Sequence, residues 1–310
     1  MAIQEMTCER LMDYRRVIVI IPAYNEERFI GSVVLKARQH ADAVIVVDDG
    51  STDDTAAVAE AAGAVVVRHQ QNRGKGAALN TAFREARAMG AGVVVTVDGD
   101  GQHRCDEIGT LIEPVLNGEA DMAVGSRFLD VRSEIPAWRV FGQHSLTVAT
   151  NLGSGFSLTD SQSGFRAFSP RAVRTLAFNS AGFSVESEMQ FLAREHGLRV
   201  VEIPITCSYE DPPKRNPVAH GLQVLNGMIR LVGQHRPLLF FGVPGLAGLL
   251  FGLLWGLLVV DIYSRTQVLA FGYSLIAVLF TLAGVLTMLT GIILHSIRGL
   301  LVELKESFGR

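Results

Sequence analysis

Residues Gly92–His103 read GVVVTVDGDGQH. Five β-favouring residues, Val93–Val97, give way at once to Asp98 and Asp100, each followed by glycine. An uninterrupted apolar run that ends in a Gly-rich turn is the pattern of a strand buried on both faces. The same change recurs upstream. Val17–Pro22 leads to Asn25-Glu26, and Ala43–Asp48 ends on Asp48-Asp49. Ala64–Arg68 and Ala120–Gly125 complete five predicted strands. Between and after them the spacing predicts helices over Glu27–His40, Asp53–Ala62, Lys75–Met89 and Asp106–Leu116. This alternation implies an α/β domain built on a mostly parallel sheet covered on both faces. Ligands of such sheets bind at the carboxyl ends of the strands. Three polar loops are therefore expected to converge on one site.

Beyond Phe128 the pattern loosens. Helices are expected over Trp138–Gly153 and Ser184–His196, and strands over Ser163–Phe168 and Val200–Tyr209. An amphipathic stretch, Gly221–His235, is expected at a membrane surface, with Leu222, Leu225, Ile229 and Val232 on one face. The chain has 310 residues, 48% of them hydrophobic, and the apolar residues concentrate near its end. From Pro237 to Ser296 the only Asp, Glu, Lys or Arg residues are Asp261 and Arg265. Pro237–Val260 and Val268–Ser296 each exceed the roughly 20 residues that a spanning helix needs. The division expected is a body at 1–210, a juxtamembrane segment at 211–236, and a two-helix hairpin at 237–310 with spans at about 237–260 and 268–296 and a short loop at Asp261–Gln267. Lys214, Arg215, Arg230 and Arg236 precede the first span, and Arg298 and Lys305 follow the second. That asymmetry places the body and both ends of the hairpin in the cytoplasm of a multi-pass membrane protein. The first apolar run, Val17–Ala23, is too short for the core of a secretory signal and reads as a strand.

The net charge of −3 argues against nucleic acid as a partner. Cys8, Cys105 and Cys207 have no metal-site spacing and read as free thiols of a reducing compartment. Asp98 and Asp100, one residue apart at a strand end, can hold a hard divalent cation against a diphosphate. A calcium-binding loop of the EF-hand type is excluded, because its sixth and twelfth positions would be His103 and Gly109 rather than Gly and Glu. Gly74-Lys75-Gly76 opens a helix but lacks the spacing of a P-loop. Lys75 is read either as a structural helix start or as a residue near phosphate.

Six segments occur in order: Pro22-Ala23-Tyr24-Asn25-Glu26, Val47–Asp53, Asn72–Gly76, Asp98–His103, Gly125-Ser126-Arg127-Phe128 and Ser163-Gly164-Phe165-Arg166. Together, over residues 17–210, they resemble inverting family-2 glycosyltransferases of the GT-A fold, of the dolichyl-phosphate mannose synthase and polyprenyl-phosphate glucosyltransferase type. The two-helix tail is similar to that of prokaryotic, and in the 213–221 stretch archaeal, members. The resemblance implies hexose transfer from a nucleotide sugar, UDP-linked in preference to GDP-mannose, onto polyprenyl or dolichyl phosphate at a lipid bilayer. Pro22, Tyr24 and Glu26, with Asp48 and Asp49, would hold the nucleoside. Asp98, Asp100 and Gln102 would bind Mg2+ or Mn2+. Arg127 would meet phosphate of donor or acceptor, and Arg166 with the Ser163-Gly164 loop would shape the acceptor side. Asp100 and Arg127 are the expected catalytic residues. Glu186 is read either as orienting the acceptor or as an interior hydrogen-bonding group. His103 is expected to pack beside the metal loop rather than act as a base. Many relatives carry two prolines after the Gln-His pair where this chain has Arg104 and Cys105, which alters the turn but not the expected ligands. A homo-oligomer is left open. Extension of a lipid-linked saccharide is the alternative function, and a non-catalytic membrane scaffold a third reading. The absence of a QxxRW motif sets aside a processive synthase.

Overall fold

A computed structural model describes residues 16–129, 137–178, 185–207 and 237–308. Strands β1 (Val17–Ala23), β2 (Ala43–Asp48), β3 (Val65–Arg68), β4 (Val93–Thr96), β5 (Met122–Ser126), β6 (Arg166–Phe168) and β7 (Val200–Pro204) form one sheet in the order β3-β2-β1-β4-β6-β5-β7. All pairings are parallel except those of β6, which runs antiparallel to both β4 and β5. The helices of this body are α1 (Glu27–Ala37), α2 (Thr55–Ala61), α3 (Lys75–Ala88), α4 (Ile108–Leu116), α5 (Ala137–Ser154), α6 (Pro170–Thr175) and α7 (Val185–Glu195), with a 3₁₀ turn at Cys105–Glu107 before α4.

Strands β1, β2, β4 and β5 are buried on both faces, as their composition requires, whereas β3 at the sheet edge is partly exposed. Val17, Val19 and Ile21 join a core with Ile30, Val33 and Val34 of α1 and Ile108 and Leu111 of α4. Ile18 and Ile20 point to the other side, onto Leu79 and Phe83 of α3. Phe83 meets Phe168 of β6 edge-on, with ring centroids 5.2 Å apart. Register aligns the carboxyl ends of the central strands, since Ala23 pairs with Asp48 and Ile20 with Thr96. The expected strand Ser163–Phe168 is shorter in the structure, because Ser163–Phe165 form the loop that leads into β6. The strand expected over Val200–Tyr209 ends at Pro204, after which Cys207 makes a single antiparallel bridge to His103.

The chain separates into two compact units, 1–228 and 229–310. The second contains α8 (Val243–Thr266), entered through a π-helical turn at Leu238–Gly242, and α9 (Phe271–Phe308). Both helices are long and apolar enough to cross a membrane, over Leu238–Thr266 and Phe271–Leu300. The predicted loop Asp261–Gln267 is corrected: α8 continues to Thr266, carrying Asp261 and Arg265 as an i,i+4 ion pair, and the turn begins at Gln267 with a left-handed φ of 56°. A Cβ on Gly252 would collide with Thr281, and one on Gly284 with the backbone of Leu249. Small residues thus let the two helix backbones approach closely. The juxtamembrane reading, including Lys214, Arg215 and the Gly221–His235 face, lies outside the described residues.

Asp121 ties three elements of the body. Its buried carboxylate accepts from the Arg199 backbone N–H at 2.9 Å and from the guanidiniums of Arg199 at 3.3 Å and Arg171 at 3.4 Å. Burial alone would raise its pKa, but these donors hold it below the ordinary carboxylate range. Its contribution is therefore present above the unfolded-state pKa of about 3.9 and is lost as pH falls through the folded-state value. Asp121→Asn should destabilise the protein by about 1–3 kcal/mol at pH 7, measured by denaturant unfolding. The gap from wild type should narrow as the pH approaches 3; a gap independent of pH would contradict the ionic role.

Candidate active site

The loops after β1 and β2 are clamped to each other. Asn25 donates its N–H to Ser51 Oγ at 2.9 Å and accepts from Thr52 N–H at the same distance. Glu26 N–H donates to Thr55 Oγ1 at 2.8 Å. Asn25 takes a left-handed φ of 55° to make this corner, a conformation Asn tolerates better than most residues. Tyr24 stands 38% exposed beside it, while Pro22 and Glu26 are half-buried.

Asp48 and Asp49 are both buried. Asp48 Oδ1 accepts from Ser51 N–H at 2.9 Å. Asp49 is committed to the protein itself. It accepts from Arg73 N–H at 3.0 Å and from Gly74 N–H at 2.7 Å, and its Oδ1 lies 2.6 Å from His69 Nδ1. The structure therefore gives Asp49 a different task from the nucleoside contact expected of it: it anchors the turn that starts α3. Gly74 makes this turn with a φ of 90°, which a residue with a side chain rarely adopts.

From that anchored start Lys75 reaches two carboxylates. Its Nζ lies 2.5 Å from Asp98 Oδ1 and 2.7 Å from Glu186 Oε1. Asp98 Oδ2 faces His103 Nε2 at 3.4 Å, and His103 Nδ1 lies 3.4 Å from Cys207 Sγ. Burial alone would lower the Lys75 and His103 pKa values and raise that of Asp98. The mutual pairing reverses all three: Lys75 rises further, Asp98 falls well below the carboxylate range, and His103 is pushed up to about 10. His103 also stacks on Phe165 at 5.3 Å. The expectation that it packs and hydrogen-bonds beside the loop matches this placement.

Asp100 differs from Asp98. Burial and the neighbouring Asp98 charge raise its pKa, against a hydrogen bond of 3.1 Å from Gln102 N–H. Among the described residues no three His, Cys, Asp or Glu side chains gather into a ligand cage. The donor set nonetheless fits a hard cation. Asp100 and Gln102 are half-buried oxygen donors beside Asp98, and the crowding that raises Asp100 is what a divalent charge relieves. Mg2+ in particular is bound through one or two carboxylates together with phosphate oxygens rather than in an all-protein cage.

On the other side of the loop, Arg127 is buried and clamped by Asp160, Nε to Oδ2 at 2.6 Å and Nη2 to Oδ1 at 2.9 Å. Asp160 N–H and Thr159 N–H in turn donate to Glu202 of β7 at 3.0 Å and 2.8 Å. Arg166 is fully buried and does not reach the open site, contrary to a direct substrate contact. It donates to the carbonyls of Ser163 at 2.8 Å and Ser161 at 2.7 Å, which fixes the loop before β6. Thr96 Oγ1 pulls the same loop in by donating to the Gly164 carbonyl at 2.7 Å. Gly164 then lies so close to Asp98 that a Cβ there would overlap the carboxylate. His69, Glu202 and the contact between Gly164 and Asp98 escaped the sequence reading. Polar character at the end of β3 hinted at His69; Glu202, inside a strand, carried no such signal.

Residues 18–176 match the glycosyl transferase family 2 profile. A protein of Methanocaldococcus jannaschii named only as uncharacterized is 38% identical over 200 residues, 63% of this chain and 82% of its own. The UDP-N-acetylglucosamine–dolichyl-phosphate N-acetylglucosaminyltransferase of Methanococcus voltae is 34% identical over 217 residues, 63% of this chain and 86% of its own. Among solved structures, glucosyl-3-phosphoglycerate synthase from Mycobacterium tuberculosis, crystallised with Mn2+, UDP and phosphoglyceric acid, aligns with a TM-score of 0.58 and 26% identity. That alignment covers 73% of this chain and 81% of the other. The sheet and its acidic loop are those of a GT-A glycosyltransferase domain. The chain belongs to glycosyl transferase family 2.

Gly164→Ala must displace either Asp98 or the 161–166 loop. It should cost about 1–3 kcal/mol of stability through overpacking and lower sugar transfer at least about tenfold, or 1.4 kcal/mol of barrier. Melting temperature and turnover measured together check this; unchanged turnover would mean that Asp98 need not hold this position.

Proposed function

We propose that the protein transfers a hexose from a nucleotide sugar to a polyprenyl or dolichyl phosphate. The observation that carries this reading is the state of the acidic groups at the carboxyl end of the sheet. Asp98 and Glu186 are paired with Lys75, and Asp160 with Arg127. None of these three is placed as an unpaired base, and Asp100, the carboxylate beside them that pairs with no cation among the described residues, is the one this reading assigns to the metal. A hydroxyl acceptor needs a general base, whereas a phosphate monoester, with its second pKa at about 6, is already ionised. The relative that acts on dolichyl phosphate and the two apolar helices support the same acceptor.

In the proposed reaction an acceptor phosphate oxygen forms a bond to the anomeric carbon, and the bond from that carbon to the nucleoside diphosphate breaks in the same displacement. Configuration at the carbon inverts. Tyr24, Pro22, Glu26 and Asp48 would border the nucleoside, while Asp49 acts through the loop it anchors. Asp100 and Gln102, with Asp98, would hold Mg2+ or Mn2+, which neutralises charge on the departing diphosphate. Arg127, oriented by Asp160, would face the acceptor side, and Arg166 would act by holding the Ser161–Gly164 loop. UDP is the favoured nucleotide, supported by the relative's donor and by the nucleotide in the aligned structure.

The test supplies the purified protein with UDP- and GDP-hexoses and, in separate tubes, polyprenyl phosphate or a polyprenyl-diphosphate sugar. A mild-acid-labile, phosphatase-resistant product from the first acceptor is expected, with near-complete loss in EDTA and in Asp100→Ala. Transfer only to the second acceptor would make the protein an extender of lipid-linked glycans. Full activity in EDTA would remove the metal from the mechanism. The basic residues flanking the hairpin support a cytoplasmic body at the cell membrane. A cysteine at Ser264 should then label only from outside, and tags at either end of the chain only from the cytoplasm; ends on opposite faces would refute a hairpin.

A further inference from the structure

Lys75 occupies a place where a metal would compete with it. Its ammonium sits on Asp98 Oδ1, and His103 faces Asp98 Oδ2. Both oxygens of this carboxylate therefore have protein partners. Gly164 lies against the same carboxylate, close enough that a Cβ there would overlap it. A free divalent cation arriving at the loop meets Asp100 and Gln102, but reaches Asp98 only by displacing a cation already there. The pair is nevertheless open to exchange, because the side chains of Lys75 and Asp98 remain 28% and 27% exposed.

Glu186 makes the exchange a short one. Its side chain is 9% exposed, so an unpaired charge there would be costly, and Lys75 keeps this contact at 2.7 Å while its other contact changes. The backbone under Lys75 does not have to move. Asp49 holds Gly74 N–H, and Lys75 is the first residue of α3. An anion approaching this helix start meets the positive end of the helix together with the ammonium. A diphosphate is such an anion, and it brings oxygen ligands for the metal.

We propose that Lys75, steadied by Glu186, is an internal counter-cation that guards Asp98 against free metal and is drawn off by a nucleoside diphosphate, so that metal and nucleotide bind as one cooperative unit. This rests on the nucleotide-sugar reading above and assigns the order in which the loop takes its ligands. If Lys75 covers Asp98 for nine-tenths of the time, free metal binds about tenfold more weakly than the bare loop would allow. Because coupling is reciprocal, metal and nucleotide strengthen each other by the same factor.

The test uses the full chain in detergent micelles and reads free Mn2+ by electron paramagnetic resonance, without nucleotide and with UDP or GDP. Lys75→Gln, which keeps hydrogen-bonding capacity but removes the charge, should tighten Mn2+ binding in the absence of nucleotide by about tenfold and weaken UDP binding in the presence of Mn2+. Lys75→Arg keeps the cation and should leave free Mn2+ no tighter than in wild type. This second variant carries the test if the first does not fold, and tighter Mn2+ binding to it overturns the proposal. Arg104→Gln removes an exposed nearby charge paired with Asp106. If it tightens Mn2+ as much as Lys75→Gln does, the effect is general electrostatics and the proposal falls. Wild-type protein that binds neither UDP nor GDP with Mn2+ defeats the nucleotide-sugar reading itself. Cooperative binding in wild type with unchanged free-Mn2+ affinity in Lys75→Gln defeats the role of Lys75 alone.

Discussion

Lys75 bonds to two carboxylates that the chain supplies from distant places, Asp98 after β4 and Glu186 at the start of α7. One ammonium thus joins two carboxylates that lie far apart in the sequence. The rest of the site is arranged around this pairing. Asp49 fixes the helix start from which Lys75 projects, and His103 holds the second oxygen of Asp98. Asp100, lacking a cation of its own, is left with a raised pKa.

A second chain of charges runs parallel to the first. Glu202 holds the Thr159-Asp160 corner, Asp160 clamps Arg127, and Arg166 grips the loop that follows. These groups converge because β6 enters the sheet antiparallel between β4 and β5. A parallel strand there would have delivered its loop to the opposite edge. As built, the loop before β6 arrives at the carboxyl end of β4, and Gly164 rests against Asp98. The loop after β4 and the loop before β6 thus share one carboxylate as their point of contact.

Much of the body was legible in the sequence because its signals are local. Apolar runs such as Val17–Ile21 and Val93–Val95 can be satisfied only by burial on both faces, and the acidic turns after them mark the ligand-binding edge. The long apolar stretches after Pro237 declared two helices of membrane-spanning length by composition alone. Helix ends were less legible. The pair Asp261 and Arg265 looked like a loop because both are charged, yet at i,i+4 spacing they neutralise each other and let α8 continue.

By itself, then, the sequence determined an α/β body with its motifs at strand ends and an apolar two-helix tail. Only the tertiary structure decided which motif residues face outward and which are spent on the protein. Asp49 and Asp48 are neighbours in sequence, yet Asp49 is consumed by His69 and the Arg73-Gly74 turn. Arg127 was expected to meet phosphate and Arg166 to shape the acceptor side, yet Arg166 is fully buried and Arg127 is held by Asp160. The physical reason is that a motif records residue type, whereas the partners of a charge are set by long-range pairings across the sheet. Lys75 with Glu186, Asp160 with Arg127 and Gly164 with Asp98 are separated by many residues and meet only when the sheet is assembled.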